Sequence, residues 1–324
     1  MDERTALFYL SETTLQGLGL TAAEVIESIE HLIRGRSRAR VWNAPKSVIQ
    51  PPDGRYMMAA LSAADDPPFL AVKSAILNPR NRERGLPDIN AVVTLLDSDT
   101  GVPRAIMDGN WITAVRTAGL SAVAAKRLAR PDASIAAFIG CGVQARSHLD
   151  MFAALFPLKE IRAFGRGATN RDALCRTAER LGLRAVASAT AREALREADL
   201  VVTSVTFSPQ LVPFLDARWL SPGVFATVTD LAAPWIPDGM SAFDRIVIDD
   251  LDQEVQMPKP LVDPALVAGD LTGLVNGAIV GRRSARDTTA FVFRGLALGD
   301  LALAILAYQR ARQSGRGSRI DPAA

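Results

Sequence analysis

The run of this chain with the clearest chemistry is Gly140-Cys141-Gly142-Val143-Gln144-Ala145, a G-x-G-x-x-A motif. An apolar stretch at 134–139 precedes it, and residues 143–155 read as a helix. Each position then has a physical task. The first glycine permits a tight turn, and the second lets a pyrophosphate approach the backbone. The small Ala145 allows helix and strand to pack closely. The helix N-terminus offers unpaired N–H groups and the positive end of its dipole. The motif therefore reads as a dinucleotide site, with a purely structural glycine turn as the competing reading. Cys141 reads as a small residue in that turn.

The end of the next strand, Phe164-Gly165-Arg166-Gly167, bears on the cofactor. An NAD site expects a carboxylate about 20 residues on, to hold the ribose 2′-hydroxyl. Here the strand ends on Arg166, which can pair with a 2′-phosphate. NADP(H) is thus favoured over NAD(H), against an ordinary loop arginine as the alternative. A third chemical signal is Lys73, at the centre of the apolar strand Ala71-Val72-Lys73-Ser74. A buried unpaired ammonium is costly, so Lys73 needs a partner anion or a lowered pKa unless it snorkels to the surface.

These residues need a scaffold. With 324 residues, the chain has a length prior of two domains. Thr21 and Glu24 form a capping box, and Val25, Ile29 and Ile33 then share one helical face. Residues 41–96 read as short strands divided by Pro and Gly clusters, which predicts an antiparallel sheet. Residues 112–130 read as a helix stopped by Pro131. From residue 134 the chain alternates strand and helix, with strands at 134–139, 160–164, 184–187, 200–205, 224–228, 245–248 and 288–293, and helices at 143–155 and 171–181. That βαβ alternation predicts a parallel, doubly wound sheet. The apolar run 296–308, which carries Asp300, reads as a buried helix, and the Arg-rich tail from Gln309 as a frayed, solvated end.

Composition excludes several classes. Hydrophobic residues make up 48% and charged residues 22%, ordinary for a globular protein that buries a core. The net charge of +2 argues against a dedicated nucleic-acid binder. Two cysteines, Cys141 and Cys175, make no disulfide framework, which fits a reducing cytoplasm. Two histidines, His31 and His148, leave no zinc cluster, so no metal is expected. The start, Met1-Asp2-Glu3-Arg4, lacks the apolar core of a signal peptide, and no run of about 18 apolar residues exists to span a membrane.

The stretch Met107-Asp108-Gly109-Asn110-Trp111-Ile112-Thr113-Ala114-Val115-Arg116-Thr117-Ala118, with Gly101-Val102-Pro103 before it, resembles the signature of the ornithine cyclodeaminase and mu-crystallin family. The glycine motif follows at the family's spacing, with Gln144-Ala145 and then His148. Residues 198–203 fit the family's fourth Rossmann strand, and Gly295-Leu296-Ala297-Leu298-Gly299-Asp300 the start of its last helix. The resemblance covers roughly residues 5–310. It implies an α/β fold: a Rossmann domain at 119–292, and a substrate-binding and dimerisation domain at 1–118 with 293–324. It also implies a homodimer through the N-terminal sheets and an active site in the interdomain cleft.

The resemblance further implies that Lys46, Lys73 and Arg116 clamp a substrate carboxylate. Lys46 stands where many members have arginine, which loses the bidentate fork. The implied dinucleotide set is Thr117, Gly140, Gly142, Val143, Gln144, Ala145, Arg166, Thr203 and Ser204. Where many members read Pro-Ser-His-Gln, this chain reads Leu86-Pro87-Asp88-Ile89-Asn90. The family's catalytic aspartate aligns with Leu231, one residue after Asp230. Asp230 is therefore the acid–base candidate beside Lys73, with a turn aspartate as the alternative. Met57, Met58, Asn78, Asp88 and Trp235 are candidates for lining the pocket.

Three activities fit. The first is an NAD(P)H-dependent reductase of a small α-imino or α-keto acid, a cyclic ketimine such as pyrroline-2-carboxylate among them. The second is a cyclodeaminase that turns ornithine or lysine into a cyclic imino acid with release of ammonia. The third is an NADPH-binding protein without catalysis. Absence of the aligned aspartate and an NADP preference favour the reductase.

Overall fold

The computed structural model describes residues 6–206, 208 and 210–320, so the Met1-Asp2-Glu3-Arg4 reading lies outside the described residues. The chain divides into two compact units: residues up to Arg116 together with those from Leu296 on, and Thr117–Gly295. The division falls inside one helix, Gly109–Leu128. That helix starts tightly against the sheet, since a Cβ on Gly109 would lie 2.6 Å from the Ala91 carbonyl carbon. Asp108 caps it by accepting from the Trp111 N–H at 2.7 Å.

In the first unit the sheet runs in the order Ser318–Ile320, Leu7–Leu10, Pro103–Asp108, Ile89–Asp97, Pro68–Leu77, Tyr56–Asp65 and Val41–Asn43, with Ser47–Ile49 also paired to Tyr56–Asp65. All pairs are antiparallel except Leu7–Leu10 with Pro103–Asp108. One row across the strands, Ala60, Lys73, Val93, Met107 and Leu10, is buried throughout. The period of two in a strand puts the neighbouring row on the other face. The helix Ala22–Arg36 opens with the Thr21–Glu24 capping box, both halves formed. It packs on the last helix, Ala297–Ser314, which also contacts the sheet. A helix covered on two sides has no solvated stripe, which accounts for its near-continuous apolar run.

The tail departs from the expected frayed end. Its helix continues to Ser314 and stops at Gly315 in the left-handed conformation (φ 65°), and Ser318–Ile320 then pairs with Leu7–Leu10. Unpaired backbone groups on Leu7–Leu10 give those residues a partner that the polar tail composition does not announce.

The second unit is a fully parallel eight-stranded sheet in the order Arg184–Ala187, Glu160–Phe164, Ile135–Ile139, Leu200–Thr203, Phe225–Val228, Thr289–Val292, Arg245–Ile248 and Val267–Asp270. Chain order runs outward from Ile135–Ile139 in one direction and then reverses at Leu200–Thr203. This is the doubly wound Rossmann arrangement, with its switch point at the first strand. The edge strand Val267–Asp270 was not signalled; it is short and contains Gly269. The second helix begins at Ala168 rather than near Arg171, because Gly167 already serves as its N-cap.

Candidate active site

In the first unit the buried row brings Lys73 beneath the last helix. Its Nζ lies 2.8 Å from Asp300 Oδ2, 2.9 Å from Oδ1 and 3.4 Å from Thr113 Oγ1. Arg116 Nε donates to Asp300 Oδ1 at 3.0 Å. Lys73, Arg116 and Asp300 are 2%, 6% and 3% exposed, so solvent does little to screen them. Burial pulls Lys73 down to about 8, helped by the neighbouring Arg116 charge and opposed by Asp300. Burial alone would raise Asp300, but Arg116, Lys73 and Lys46 together hold its carboxyl below the usual range. The half-buried Lys46 therefore belongs to the same electrostatic cluster.

Two cations thus contact one carboxylate, and the charge of a third, Lys46, is felt there. Arg116 Nη1 is buried and has no hydrogen-bond acceptor among the described residues. A second anion, offered to that guanidinium fork, would complete the site. Asp300 is the residue that reading for motifs missed. Its signal was present: an aspartate inside an apolar helix is almost never buried unless paired.

The second unit builds a different cradle. Gly140 has φ of +91°, and a Cβ there would lie 2.5 Å from the Ser204 carbonyl oxygen. Its N–H donates to Phe164 O at 2.8 Å, which fixes the turn beside the strand that leads to Arg166. Arg166 itself is exposed. Ser204 donates its N–H to Ile139 O at 2.9 Å and its hydroxyl to Gly140 O at 3.3 Å. Gly142 caps the helix Val143–Leu155, and no atom lies within 4 Å of where its Cβ would be. Ala145 is fully buried, and Cys141 fills the turn at 4% exposure. Open space at the second glycine, the N–H groups that a first helical turn leaves free and a Gln144 Oε1 without a partner among the described residues all fit a dinucleotide pyrophosphate. Thr117 is buried on the helix Gly109–Leu128.

Thr203 and Asp230 engage each other. The Thr203 hydroxyl donates to Asp230 Oδ1 at 3.0 Å and accepts from Trp235 Nε1 at 3.3 Å, while Val205 N–H donates to Asp230 Oδ2 at 3.0 Å. The Thr203 side chain is therefore spent inside the unit. Burial lifts Asp230 to about 7 against these two hydrogen bonds. Leu231 and Ala232 follow with positive φ (59° and 56°), and Leu231 turns outward at 41% exposure. Trp235 does not line a pocket. It is 1% exposed in the core of this unit, edge-on to Phe243. Among the described residues no group of three or more His, Cys, Asp or Glu is placed to hold a metal ion, and no helix is long and apolar enough to cross a membrane.

A doubly wound parallel sheet with a G-x-G-x-x-A turn at its switch point defines a Rossmann dinucleotide-binding protein, here in a chain whose first unit carries a buried cationic cluster. Within that class the chain belongs to the ornithine cyclodeaminase/mu-crystallin family, whose model matches residues 11–315. It is 32% identical over 254 residues to the ketimine reductase mu-crystallin of Mus musculus, covering 78% of this chain and 79% of that protein. Identity is 28% over 313 residues with the alanine dehydrogenase of Archaeoglobus fulgidus, covering 92% and 93%. The structure of Thermococcus litoralis Delta(1)-pyrroline-2-carboxylate reductase, in complex with NADH and L-proline, superposes with a TM-score of 0.89 at 28% identity, covering 97% of this chain and all of that one (100%).

Proposed function

We propose that the protein is an NAD(P)H-dependent reductase of a small α-imino or α-keto acid, with a cyclic ketimine such as pyrroline-2-carboxylate as the substrate to test first. The carrying observation is the charge imbalance around Asp300, with Arg116 Nη1 lacking an acceptor among the described residues. That arrangement asks for a substrate carboxylate, because the one carboxylate that Lys73 and Arg116 share, Asp300, is already engaged by both. The relatives named for reduction of ketimines and of pyrroline-2-carboxylate supply the matching reaction class.

In this reading Arg116 takes the substrate carboxylate through its fork, and Lys73 and Lys46 add point charges. Asp300 fixes Lys73 and Arg116 in place. Gly140, Gly142, Val143, Gln144 and Ala145 hold the pyrophosphate, with Thr117 and Ser204 beside them. Thr203 orients Asp230. Arg166 meets a 2′-phosphate, so NADP(H) is preferred over NAD(H). A nicotinamide held by these residues would supply the hydride for reduction of the C=N bond. Asp230, raised to about 7, can hold a proton at neutral pH and is the acid that protonates the nitrogen.

The working form is a cytoplasmic homodimer. Tyr9, Trp42, Leu61 and Val92 are 45%, 49%, 41% and 39% exposed on the outer face of the first unit's sheet. A face of this kind is what a second copy would cover.

The test is absorbance of NADPH with pyrroline-2-carboxylate, with an NADH control and an ammonia assay on ornithine. Turnover faster with NADPH supports the reading. Ammonia release without net cofactor use would replace it with cyclodeamination. Tight NADPH binding without turnover on any imine would leave a binding protein.

A further inference from the structure

His148 is fully buried on the helix Val143–Leu155 and takes no part in the site described above. Its Nδ1 lies 2.7 Å from the carbonyl oxygen of Gln144. A carbonyl only accepts, so Nδ1 carries the proton, and in the neutral ring Nε2 is an acceptor. Ser121 Oγ, 2.8 Å from Nε2, must then donate to it. With its proton spent there, Ser121 Oγ receives the hydroxyl of Thr227 at 2.8 Å. The other acceptor within reach of Ser121, the Thr117 carbonyl, is farther, at 3.1 Å. The donors therefore run in one direction: Thr227 to Ser121 to His148 to Gln144. Ser121 and Thr227 are also fully buried. Burial keeps the ring neutral, holding its pKa down at about 4.

The end of this chain matters because Gln144 lies inside the G-x-G-x-x-A turn. Its N–H is among the unpaired donors of the first helical turn. Its carbonyl is gripped from behind by the imidazole, which is tied through Ser121 and Thr227 to the helix Gly109–Leu128 and the strand Phe225–Val228. We propose that His148, as the Nδ1–H tautomer, is a positioning residue that holds the first turn of the dinucleotide helix in register for the pyrophosphate. The inference rests on the dinucleotide reading of that turn.

The side chains that test it differ in which ring nitrogen they mimic. In His148→Asn the amide sits where Nδ1 was and keeps the donor to Gln144. His148→Gln keeps only the acceptor toward Ser121, and His148→Phe keeps only shape. Calorimetric titration of each with NADPH and NADH should show Phe and Gln weakening the dinucleotide by about tenfold and Asn by less than about threefold, the scale of one buried hydrogen bond. KM for the imino acid at saturating cofactor should stay within twofold. Ser121→Ala and Thr227→Val, milder changes, should follow Phe in direction. With only two histidines in the chain, ¹⁵N spectra of the wild-type rings should show one of them fixed as Nδ1–H.

Unchanged dinucleotide affinity in the Phe variant, or an Nε2–H ring at His148, would overturn the positioning role while leaving the dinucleotide site intact. Equal losses in Asn, Gln and Phe would make His148 a packing residue only. A wild-type protein that binds neither dinucleotide would remove both this role and the reading beneath it.

Discussion

Asp300 on the last helix and Lys73, 227 residues earlier on the sheet, meet as a buried ion pair at 2.8 Å. Arg116 shares the same carboxylate. Removing that carboxylate alone leaves two buried cations without the counter-charge they share. Breaking one partner of a buried pair typically costs about 3–5 kcal/mol. Asp300→Asn should therefore lower the urea midpoint by that equivalent at unchanged m. A variant as stable as the parent would mean that Lys73 and Arg116 find another anion.

The same pair sets a pH dependence. Lys73 is pulled from 10.5 to about 8, chiefly by burial. Its charge is present below that value and lost above it, so KM for the imino acid should climb as pH rises through about 8. Between about 8 and 10.5 the unfolded chain holds a proton that the folded one has released, so this group makes stability rise with pH there. Steady-state KM across pH 6.5 to 9.5, at saturating cofactor, reads the first effect. A flat profile would exclude Lys73 as a carboxylate ligand.

Asp230 has the opposite linkage. Burial lifts it from 3.8 to about 7, so between those values the folded state holds a proton that the unfolded state has lost. Its contribution to stability therefore falls as pH rises through that window. Asp230→Asn should flatten that part of the stability profile. If Asp230 is the acid, kcat should also fall by about 10²-fold with KM little changed. A flattened profile with normal kcat would make it an anchor for the loop that Thr203 and Val205 hold.

Much of this was legible in the chain itself. Regular βαβ spacing and the glycine turn announce the Rossmann unit, because backbone conformation at Gly140 and close packing at Ala145 tolerate few residue types. Lys73 could be flagged as needing an anion, since its strand is apolar. Which anion could not be read, because Asp300 is brought there by tertiary packing across most of the chain. The setting of Asp230 was equally hidden: Thr203 and Val205 hold its carboxylate from another strand end, and the left-handed backbone of Leu231 and Ala232 after it is signalled by neither residue type. The final strand Ser318–Ile320 exists only because Leu7–Leu10 offers an edge.

Arg166 is exposed just beyond the strand whose last carbonyl holds Gly140. A guanidinium there adds a charge-assisted bond only to a cofactor with a 2′-phosphate, a difference of about 1.5–3 kcal/mol. Arg166→Ala should raise KM for NADPH by about tenfold or more and leave KM for NADH within twofold. Equal effects on both would assign Arg166 to the loop rather than to the phosphate.

The outer face of the first unit's sheet carries its own prediction. Leu61 is opposite Val72, Val72 opposite Thr94, Thr94 opposite Ile106, and Ile106 opposite Tyr9, so one row of side chains crosses five strands. Trp42 extends it on the outer strand, paired with Ala63 and about half exposed. An apolar face this continuous is uncommon on a protein that works alone. A charge at its centre would be desolvated by any copy that docks there, and two-fold symmetry would place it twice in the interface. Leu61→Arg should therefore turn a dimer into a monomer by light scattering at micromolar concentration, with little change in the circular dichroism of the fold. A dimer that survives both Leu61→Arg and Trp42→Glu would place the interface elsewhere on the chain.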